Sequence, residues 1–434
     1  MTDKGTSRRR FLGGATAAAG LAAGAGVAAG YGIRSAVDDG SAQADPGATD
    51  PTSGGRADAV VAFYGARLAG ITTTQQERLM FAALDATTTD VQELQRMLGR
   101  WSAIAARLTA GELVSDSPVR TEQAPFDTGE AIDLGPHSLT ITVGFGPSLF
   151  DSRFGLTDRM PAALTPFGTI PGDAVMRPAI SDGDLCIQAC ADDPQVVFHA
   201  VRNLVRAARG TAVLRWSQLG FGRASATGAG QVTPRNLMGF KDGTRNIHAD
   251  DTGAVDQHVW VNAADNPAAA GWMTGGSYLV ARKIRMEIES WDTDPLTDQE
   301  RIFARHKITG APITGGDELT AVDYGKTDPV TGDPVVDVNA HIRLASPEQN
   351  GGIRLLRRGY NYTDGQDPDT GKLAAGLFFI AFQRDPHAQF KLLQTRLGRS
   401  DLLNEYIAHI GGGLWACPPG VSAPGDWFGK RLFG

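Results

Sequence analysis

Residues 190–198 read CADDPQVVF, and residues 382–390 read FQRDPHAQF. Each stretch has an Asp-Pro pair where an apolar run ends, at 193–194 and at 385–386, and a phenylalanine four residues after the proline. A proline that follows a strand-like run fits the first position of a helix, and an aspartate before it can cap that helix. The recurrence indicates that one strand-to-helix unit occurs twice in the chain.

The residues around the two junctions predict the same order of elements in both halves. Short apolar runs and helical apolar spacing in the first half predict strand, helix, strand, strand, helix and strand, at 79–86, 90–111, 139–146, 183–193, 194–210 and 211–221. The second half predicts strands at 275–291, 341–346, 353–362, 376–385 and 412–420, and helices at 297–307, 386–398 and 401–410. The order βαββαβ is the split ferredoxin-like unit. We therefore predict an α+β protein of two ferredoxin-like halves with antiparallel sheets.

The N-terminus predicts export. Residues 6–14 read TSRRRFLGG, and an uncharged Ala/Gly-rich stretch follows. The pair Arg8-Arg9 in this setting indicates a twin-arginine signal, in which a receptor reads the arginines. Ala42 and Ala44 form a small-residue cleavage site, and an uncleaved signal anchor is the alternative. Because this route carries folded proteins, the signal also suggests a cofactor acquired before export.

Composition divides the rest of the chain and excludes several classes of protein. Residues 45–57 are rich in Pro, Gly, Ser, Thr and Asp and predict a flexible linker after the signal peptide at 1–44. We expect an N-terminal domain at 58–235 and a C-terminal domain at 236–434, which would bind the cofactor near the interface. The net charge of −7 and the absence of a basic run after the signal argue against a nucleic-acid partner.

The three cysteines, Cys186, Cys190 and Cys417, do not form a metal-binding pattern. Cys186 and Cys190 fall in one predicted strand, where four residues span about 13 Å, too far for a disulfide. No Cys-x-x-Cys pair occurs. Zinc and iron–sulfur sites are therefore improbable.

The connection between the halves contains GFKDG, residues 239–243. Alone, Asp242 before Gly243 is equally suited to a solvated turn. Its position between the halves, however, can place the carboxylate at their interface, where cofactors commonly bind. The candidate partners of Asp242 therefore have to be sought in the second half.

Three features of the second half could serve such a site. His341 opens HIRLASP at a predicted strand start, where a lone histidine is more often simply packed or exposed. Arg357 and Arg358 are adjacent in a predicted strand, so their side chains point to opposite faces and at least one faces inward. Asp385 ends a buried-looking strand, where it can either orient an imidazole or cap the next helix. Haem peroxidases use a histidine that is hydrogen-bonded to a carboxylate, together with an acid and an arginine on the opposite side of the cavity.

In these motifs and their order the chain resembles the dye-decolorising peroxidases of the exported bacterial type. The motifs GFKDG, HIRLASP, LLRRGY, FIAFQRDP and IGGGLWACPPG extend over nearly all of the mature chain. The resemblance implies that Asp242 is the distal acid and Arg357 the distal arginine. It also implies that His341 is the proximal iron ligand and Asp385 the carboxylate behind that ligand. It also implies one haem b per chain, contacted by Gly243, Thr244, Arg245, Arg305 and Ser346, with Arg305 matching the propionate-binding arginine.

The resemblance implies a peroxidase that reduces hydrogen peroxide through a ferryl intermediate and oxidises dyes, phenols or similar one-electron donors. Two alternatives stay open, namely release of iron from haem, as in deferrochelatases, and haem carriage for an iron-uptake system. The expected partners are hydrogen peroxide, a small-molecule or dye donor and the twin-arginine translocase. The expected location is outside the cytoplasm, and the sequence leaves the oligomeric state and the natural reductant open.

Overall fold

The computed structural model describes residues 57–118, 120–228, 230–368 and 370–434. The predicted signal peptide at 1–44 lies outside the described residues, and so does the predicted linker except for its last residue. The described residues belong to one compact unit.

The N-terminal half contains four strands and two helices in the predicted order. They are β1 (Arg78–Ala86), α1 (Val91–Thr109), β2 (Thr140–Phe145), β3 (Leu185–Ala191), α2 (Pro194–Ala207) and β4 (Ala212–Arg223). All strand pairs are antiparallel, and the strand order across the sheet is β4-β1-β3-β2. This is one ferredoxin-like βαββαβ unit.

The C-terminal half repeats this arrangement with longer insertions. Its strands are β5 (Ser277–Met286), β6 (Leu356–Arg357), β7 (Tyr360–Gln366), β8 (Leu373–Gln383) and β9 (Ile407–Cys417). Its helices, with α3 in the preceding connection, are α3 (Thr252–His258), α4 (Ile288–Trp291), α5 (Leu296–Phe303), α6 (His341–Ala345) and α7 (Leu392–Ser400). The order β9-β5-β8-β7 matches that of the first half, since in both sheets the first strand pairs with the third and the last.

The two sheets join at both edges and close into a barrel. Strand β4 pairs with β7, and β2 pairs with β9 at Phe145 and Ala416. The short strand β6 pairs with β8 next to β7 and extends beyond the closed ring. Inside, Phe81 packs against the rings of Trp216, Phe378 and Trp415 at centroid distances of 5.3, 5.3 and 5.4 Å. This aromatic core buries apolar area contributed by both halves.

The repeated Asp-Pro pair has the same local role in both halves. Asp193 caps α2 by accepting hydrogen bonds from the backbone N–H groups of Gln195 and Val196. Asp385 accepts from the N–H groups of His387 and Ala388 at 2.8 and 3.0 Å, and a π-helical turn (His387–Lys391) then leads into α7. A carboxylate at a helix start satisfies N–H groups that have no partner within the helix.

Three predictions of secondary structure in the second half are wrong, and a fourth, the strand at 275–291, extends too far, since β5 ends at Met286 and residues 288–291 form α4. His341 begins helix α6 and not a strand, because Ala340 supplies the backbone acceptor for Arg343 and Leu344. The predicted helix at 401–410 is a short 3₁₀ turn (Leu402–Glu405) followed by the start of β9. The strand predicted at 353–362 is divided into β6 and β7, because Arg358 and Gly359 interrupt the pairing.

The remaining helical segments of the described residues are short 3₁₀ segments in the connections. They are Pro147–Phe150, Thr157–Arg159, Ala162–Leu164, Pro178–Ile180, Ala263–Asp265, Ala268–Met273, Pro347–Gln349 and Lys430–Leu432. Among the described residues, no helix is both long and apolar enough to cross a membrane.

Candidate functional site

A cavity lies on the outer face of the C-terminal sheet, between that sheet and helices α5, α6 and α7. Alternation along β8 separates it from the barrel core, because Phe378 and Ile380 join the core while Leu377 and Phe379 line the cavity. The empty space between its walls is about 1700 Å³ including the open mouth. The walls are mainly apolar, with side chains from Ile284, Met286, Phe303, Leu377, Phe379, Leu393 and Leu403.

His341 lines one side of this cavity, at the first residue of α6. Its ring packs edge-on against Phe303 at a centroid distance of 5.9 Å. Its Nδ1 lies 2.6 Å from Oδ2 of Asp401, a buried residue directly after α7. A carboxylate can only accept, so Nδ1 carries the proton and Nε2 keeps its lone pair for a ligand in the cavity. A carboxylate behind a ligating imidazole fixes the tautomer and raises the basicity of the ligand.

The carboxylate behind His341 is therefore Asp401, and the assignment of this role to Asp385 is wrong. Oδ1 of Asp385 is engaged in capping the turn at 387–391, as described above. The two aspartates flank the same helical segment, one before it and one after it. Strand and helix periodicity does not distinguish which end of that segment lies behind α6, so the sequence alone could not make this choice.

Asp401 changes the protonation of His341. Burial lowers the pKa of the imidazole, but the charge of Asp401 and its hydrogen bond raise it, so that the net pKa lies above the ordinary value. Because the folded pKa is raised, the pair stabilises the haem-free fold at pH values below the ordinary histidine pKa. This contribution is lost as the pH rises through the raised pKa of the folded state.

We expect Asp401→Asn to lower the pKa of His341 in the haem-free protein, because the substitution removes the largest contribution that opposes burial and leaves only the smaller one from the charge of Asp242. Asparagine keeps an oxygen for the backbone N–H of Leu403, which Asp401 Oδ1 accepts at 2.9 Å. The pKa is measured by NMR titration of the imidazole. Asp385→Asn is the matched control and should leave the His341 titration unchanged; an equal shift in both variants would contradict the assignment to Asp401.

Across the cavity, Asp242 and Arg357 form an ion pair, with Nη1 of Arg357 2.6 Å from Oδ1 of Asp242. Both side chains are only partly exposed and line the cavity. Arg358, next in sequence, points away from it and is fully buried, where its guanidinium donates to Gln76 Oε1 and Thr227 Oγ1. The two arginines therefore face opposite ways, as strand alternation predicts.

The loop of Asp242 needs its glycines for backbone geometry and close packing. Gly239 and Gly243 have φ values of 84° and 96°, which side chains rarely permit. A Cβ on Gly243 would also lie 3.0 Å from Cα of Ser225, and one on Gly239 would lie 2.7 Å from the Lys307 side chain. The glycines thus let the loop lie against neighbouring protein segments, which holds the Asp242 carboxylate over the cavity.

The remaining predicted contact residues gather at one end of the cavity. Gly243, Thr244, Arg245, Arg305 and Ser346 all line it. Arg245 pairs with Glu348 at 2.7 Å at the rim, where both side chains are exposed. Tyr324, which the sequence did not indicate, lines the same end, with its hydroxyl 3.3 Å from the Ile342 carbonyl.

Arg305 is a buried cation in the cavity wall. Its Nη1 donates to the backbone carbonyls of Gly310 and Glu318 at 2.6 and 2.9 Å. Among the described residues no carboxylate forms an ion pair with it, and burial lowers the pKa of its guanidinium although Tyr324 and Glu318 oppose this. A buried guanidinium favours an anionic partner. Arg305 is therefore suited to an anionic group of a ligand in the cavity.

The residues present fit a haem. The apolar walls suit a flat macrocycle, His341 offers one imidazole nitrogen, and Arg305 offers a cation for a propionate. No cluster of three or more His, Cys, Asp or Glu side chains that could hold a metal ion occurs in the described ranges. Two histidines line the cavity, His341 and His409, and His409 Nδ1 lies 3.2 Å from Oδ1 of Asp173. One imidazole ligand agrees with iron whose other ligands come from a porphyrin.

Comparisons with known proteins agree with this geometry. Family models described as "Dyp-type peroxidase, N-terminal" and "Dyp-type peroxidase, C-terminal" match residues 68–222 and 233–422. A protein of Escherichia coli strain K12 named deferrochelatase is 37% identical over 374 residues, which are 85% of this chain and 86% of that protein.

Solved structures of this family are similar over most of the chain. An oxyferrous complex of DtpA from Streptomyces lividans has a TM-score of 0.80 and 40% identity, and the match covers 89% of this chain and 100% of that one. A DyP-type peroxidase from Cellulomonas bogoriensis has a TM-score of 0.77 and 37% identity, with 87% and 99% coverage. The chain belongs to the Dyp-type peroxidase family, whose members are haem peroxidases.

Proposed function

We propose that this member of the Dyp-type peroxidase family binds one haem b with His341 as the iron ligand, and that Asp242 and Arg357 act on hydrogen peroxide at the opposite face. The observation that carries the proposal is that the Asp242–Arg357 ion pair lines the same cavity as the His341–Asp401 pair. Arg305, Arg245 and Ser346 would hold the propionate edge. The chemistry that haem supplies when bound is oxidation by peroxide, followed by one-electron oxidation of a donor.

Asp242 moves the proton in this proposal. Peroxide must lose a proton from one oxygen and gain one on the oxygen that leaves as water. A carboxylate that already accepts a hydrogen bond from Arg357 is held in one position, so it can take the first proton and return it to the second oxygen. Asn236 adds a weaker contact, with Nδ2 3.3 Å from the second carboxylate oxygen.

Arg357 supplies a fixed positive charge beside the same oxygens. The charge of its guanidinium stabilises negative charge that develops as the O–O bond breaks. The ion pair with Asp242 also orients it before peroxide arrives. The donors that we propose are phenols, dyes and similar molecules that give up one electron at a time.

Release of iron from haem is the second candidate, and the relatives named deferrochelatase favour it. The two functions differ in their products. A peroxidase oxidises many equivalents of a phenol or dye while the haem stays intact, whereas iron release yields metal-free porphyrin, which fluoresces. We therefore propose to follow donor oxidation and porphyrin fluorescence together in the haem-loaded protein. Many donor turnovers without porphyrin would support the peroxidase; porphyrin in proportion to enzyme, without donor turnover, would refute it.

We also propose export through the twin-arginine translocase, on the basis of TSRRRFLGG at residues 6–14. Arg8→Lys combined with Arg9→Lys should leave the precursor in the cytoplasm, because a receptor reads the paired guanidinium groups. Fractionation and immunoblotting of the full chain measure the distribution. Arg10→Lys is the control and should be exported, and normal export of the double variant would refute the assignment.

A further inference from the structure

Strand β6, which contains Arg357, is bordered on one edge by a side chain instead of by another strand. It is two residues long and pairs with β8 through Leu356 and Arg357. A strand this short gains few ladder hydrogen bonds, and its other edge would expose the N–H and C=O of Arg357. At that edge lies the side chain of one buried residue, Asn246.

The carboxamide of Asn246 binds both backbone groups of Arg357. Its Oδ1 accepts the Arg357 N–H at 2.8 Å, and its Nδ2 donates to the Arg357 carbonyl at 2.8 Å. Nδ2 also donates to the carbonyl of Ala226 at 2.9 Å. A carboxamide has the donor and acceptor pattern of a peptide group. Asn246 thus takes the place of a neighbouring strand at the open edge of β6.

Asn246 also belongs to the loop that carries Asp242. Its own backbone N–H donates to the carbonyl of Gly243 at 2.9 Å, which closes a turn directly after Asp242. The backbone N–H of Asp242 in turn donates a hydrogen bond to the carbonyl of Pro234 at 2.9 Å. One residue therefore connects the backbone of the distal acid's loop to the backbone of the distal arginine.

We infer that Asn246 is a positioning residue that sets the geometry of the Asp242–Arg357 pair, although its side chain contacts neither carboxylate nor guanidinium. This inference rests on the proposed function, since it assigns Asn246 a role in the reaction with peroxide. A displacement of about 1 Å at such a site can cost up to about 100-fold in rate. Without Asn246, the two backbone groups of Arg357 lose their partners, and β6 is free to shift along the cavity wall.

The test compares Asn246→Ala with Asn203→Ala in haem-loaded protein. Asn203 is the matched control because it is buried and its Nδ2 also makes two hydrogen bonds, to Thr128 Oγ1 and the His199 carbonyl at 2.7 and 3.0 Å, but in the N-terminal half. Both variants should lose comparable thermal stability. Asn246→Ala alone should slow the reaction with peroxide by about 10- to 100-fold.

Two further measurements separate positioning from general loss of stability. The first is the affinity for fluoride, an anion that the Arg357 guanidinium would stabilise beside the haem. This affinity should fall about 10-fold in Asn246→Ala and should not change in Asn203→Ala. The second is a double-mutant cycle with Arg357→Leu. Because positioning acts only through Arg357, adding Asn246→Ala to Arg357→Leu should cause no further loss of rate.

These results distinguish failure of the inference from failure of the proposed function. If Arg357→Leu is slow but Asn246→Ala keeps the wild-type rate and fluoride affinity, or if the two losses are additive, the inference is overturned. If Arg357→Leu is itself as fast as wild type, the proposed function fails instead. Should Asn246→Ala not fold, Asn246→Ser, which keeps one polar group at the edge of β6, is tested by the same criteria.

Discussion

Replacing Arg357 by leucine should slow the reaction of the haem-loaded protein with hydrogen peroxide by about 10²- to 10³-fold, the usual loss when one group that stabilises developing charge is removed. Asp242→Ala should cause a loss in the same range, about 10²- to 10³-fold, because it removes the group that moves the proton. Stopped-flow absorbance at equal haem loading measures both rates. Haem affinity should stay close to wild type in both variants, since neither residue is the proposed iron ligand.

We expect the arginine to matter at least as much as the aspartate, because water in the cavity can partly replace the base, whereas Arg357 is the cation that pairs with Asp242 in the described residues. Arg358 is adjacent but is fully buried on the other side of the strand. Arg358→Leu is not a suitable control, because that guanidinium connects the two halves through Gln76 and Thr227. If Arg357→Leu and Asp242→Ala both react as fast as wild type, the pair is not catalytic and a haem carrier becomes the better interpretation.

The second large effect concerns the cofactor. His341→Ala should lose most of the haem or hold it weakly with an altered visible spectrum, because the His341 imidazole, held by Asp401, is the proposed protein ligand to iron. The haem-to-protein ratio after purification and the absorption spectrum of the complex measure this. His199→Ala is the matched control, since His199 is a buried histidine that also pairs with an aspartate, Asp127, at 2.8 Å, but in the N-terminal half.

Wild-type haem content and spectrum in His341→Ala would contradict the assignment of the iron ligand. Loss of haem in both histidine variants would indicate a general effect on the fold. Asp401→Asn should have a smaller effect than His341→Ala. It keeps the imidazole, so the protein should retain haem while the basicity of the ligand changes.

The duplicated fold was predictable because its signals are local and occur twice. The Asp-Pro junctions at 193–194 and 385–386 cap helical segments in both halves, and the short apolar runs of β1, β3 and β8 predict strands. Closure of the two sheets into one barrel was not predictable. It depends on pairing between β2 and β9 and between β4 and β7, and edge pairing leaves no periodic pattern in either strand.

The residues of the proposed distal pair and the proposed iron ligand could be singled out from the sequence because each lies in a motif of the family resemblance, GFKDG, LLRRGY or HIRLASP, and the structure brings all three to one cavity. Asp401 and Asn246 could not be assigned in the same way. Their roles come from contacts between segments 60 and 111 residues apart in sequence, and a single aspartate or asparagine in a loop has many local uses. Asp385 illustrates the difficulty, since its capping role and the role it was assigned require the same residue type at the same strand end.

The central claim is that this cavity holds a haem that reacts productively with hydrogen peroxide. It is tested most directly by the visible absorption spectrum of the purified, haem-loaded protein, recorded before and after one equivalent of peroxide and again after a one-electron donor is added. We predict a rapid change of the haem spectrum with peroxide and a return to the starting spectrum with two equivalents of donor, with the donor oxidised. A spectrum that does not respond to peroxide, or one that bleaches with release of porphyrin and no oxidation of the donor, would contradict the account.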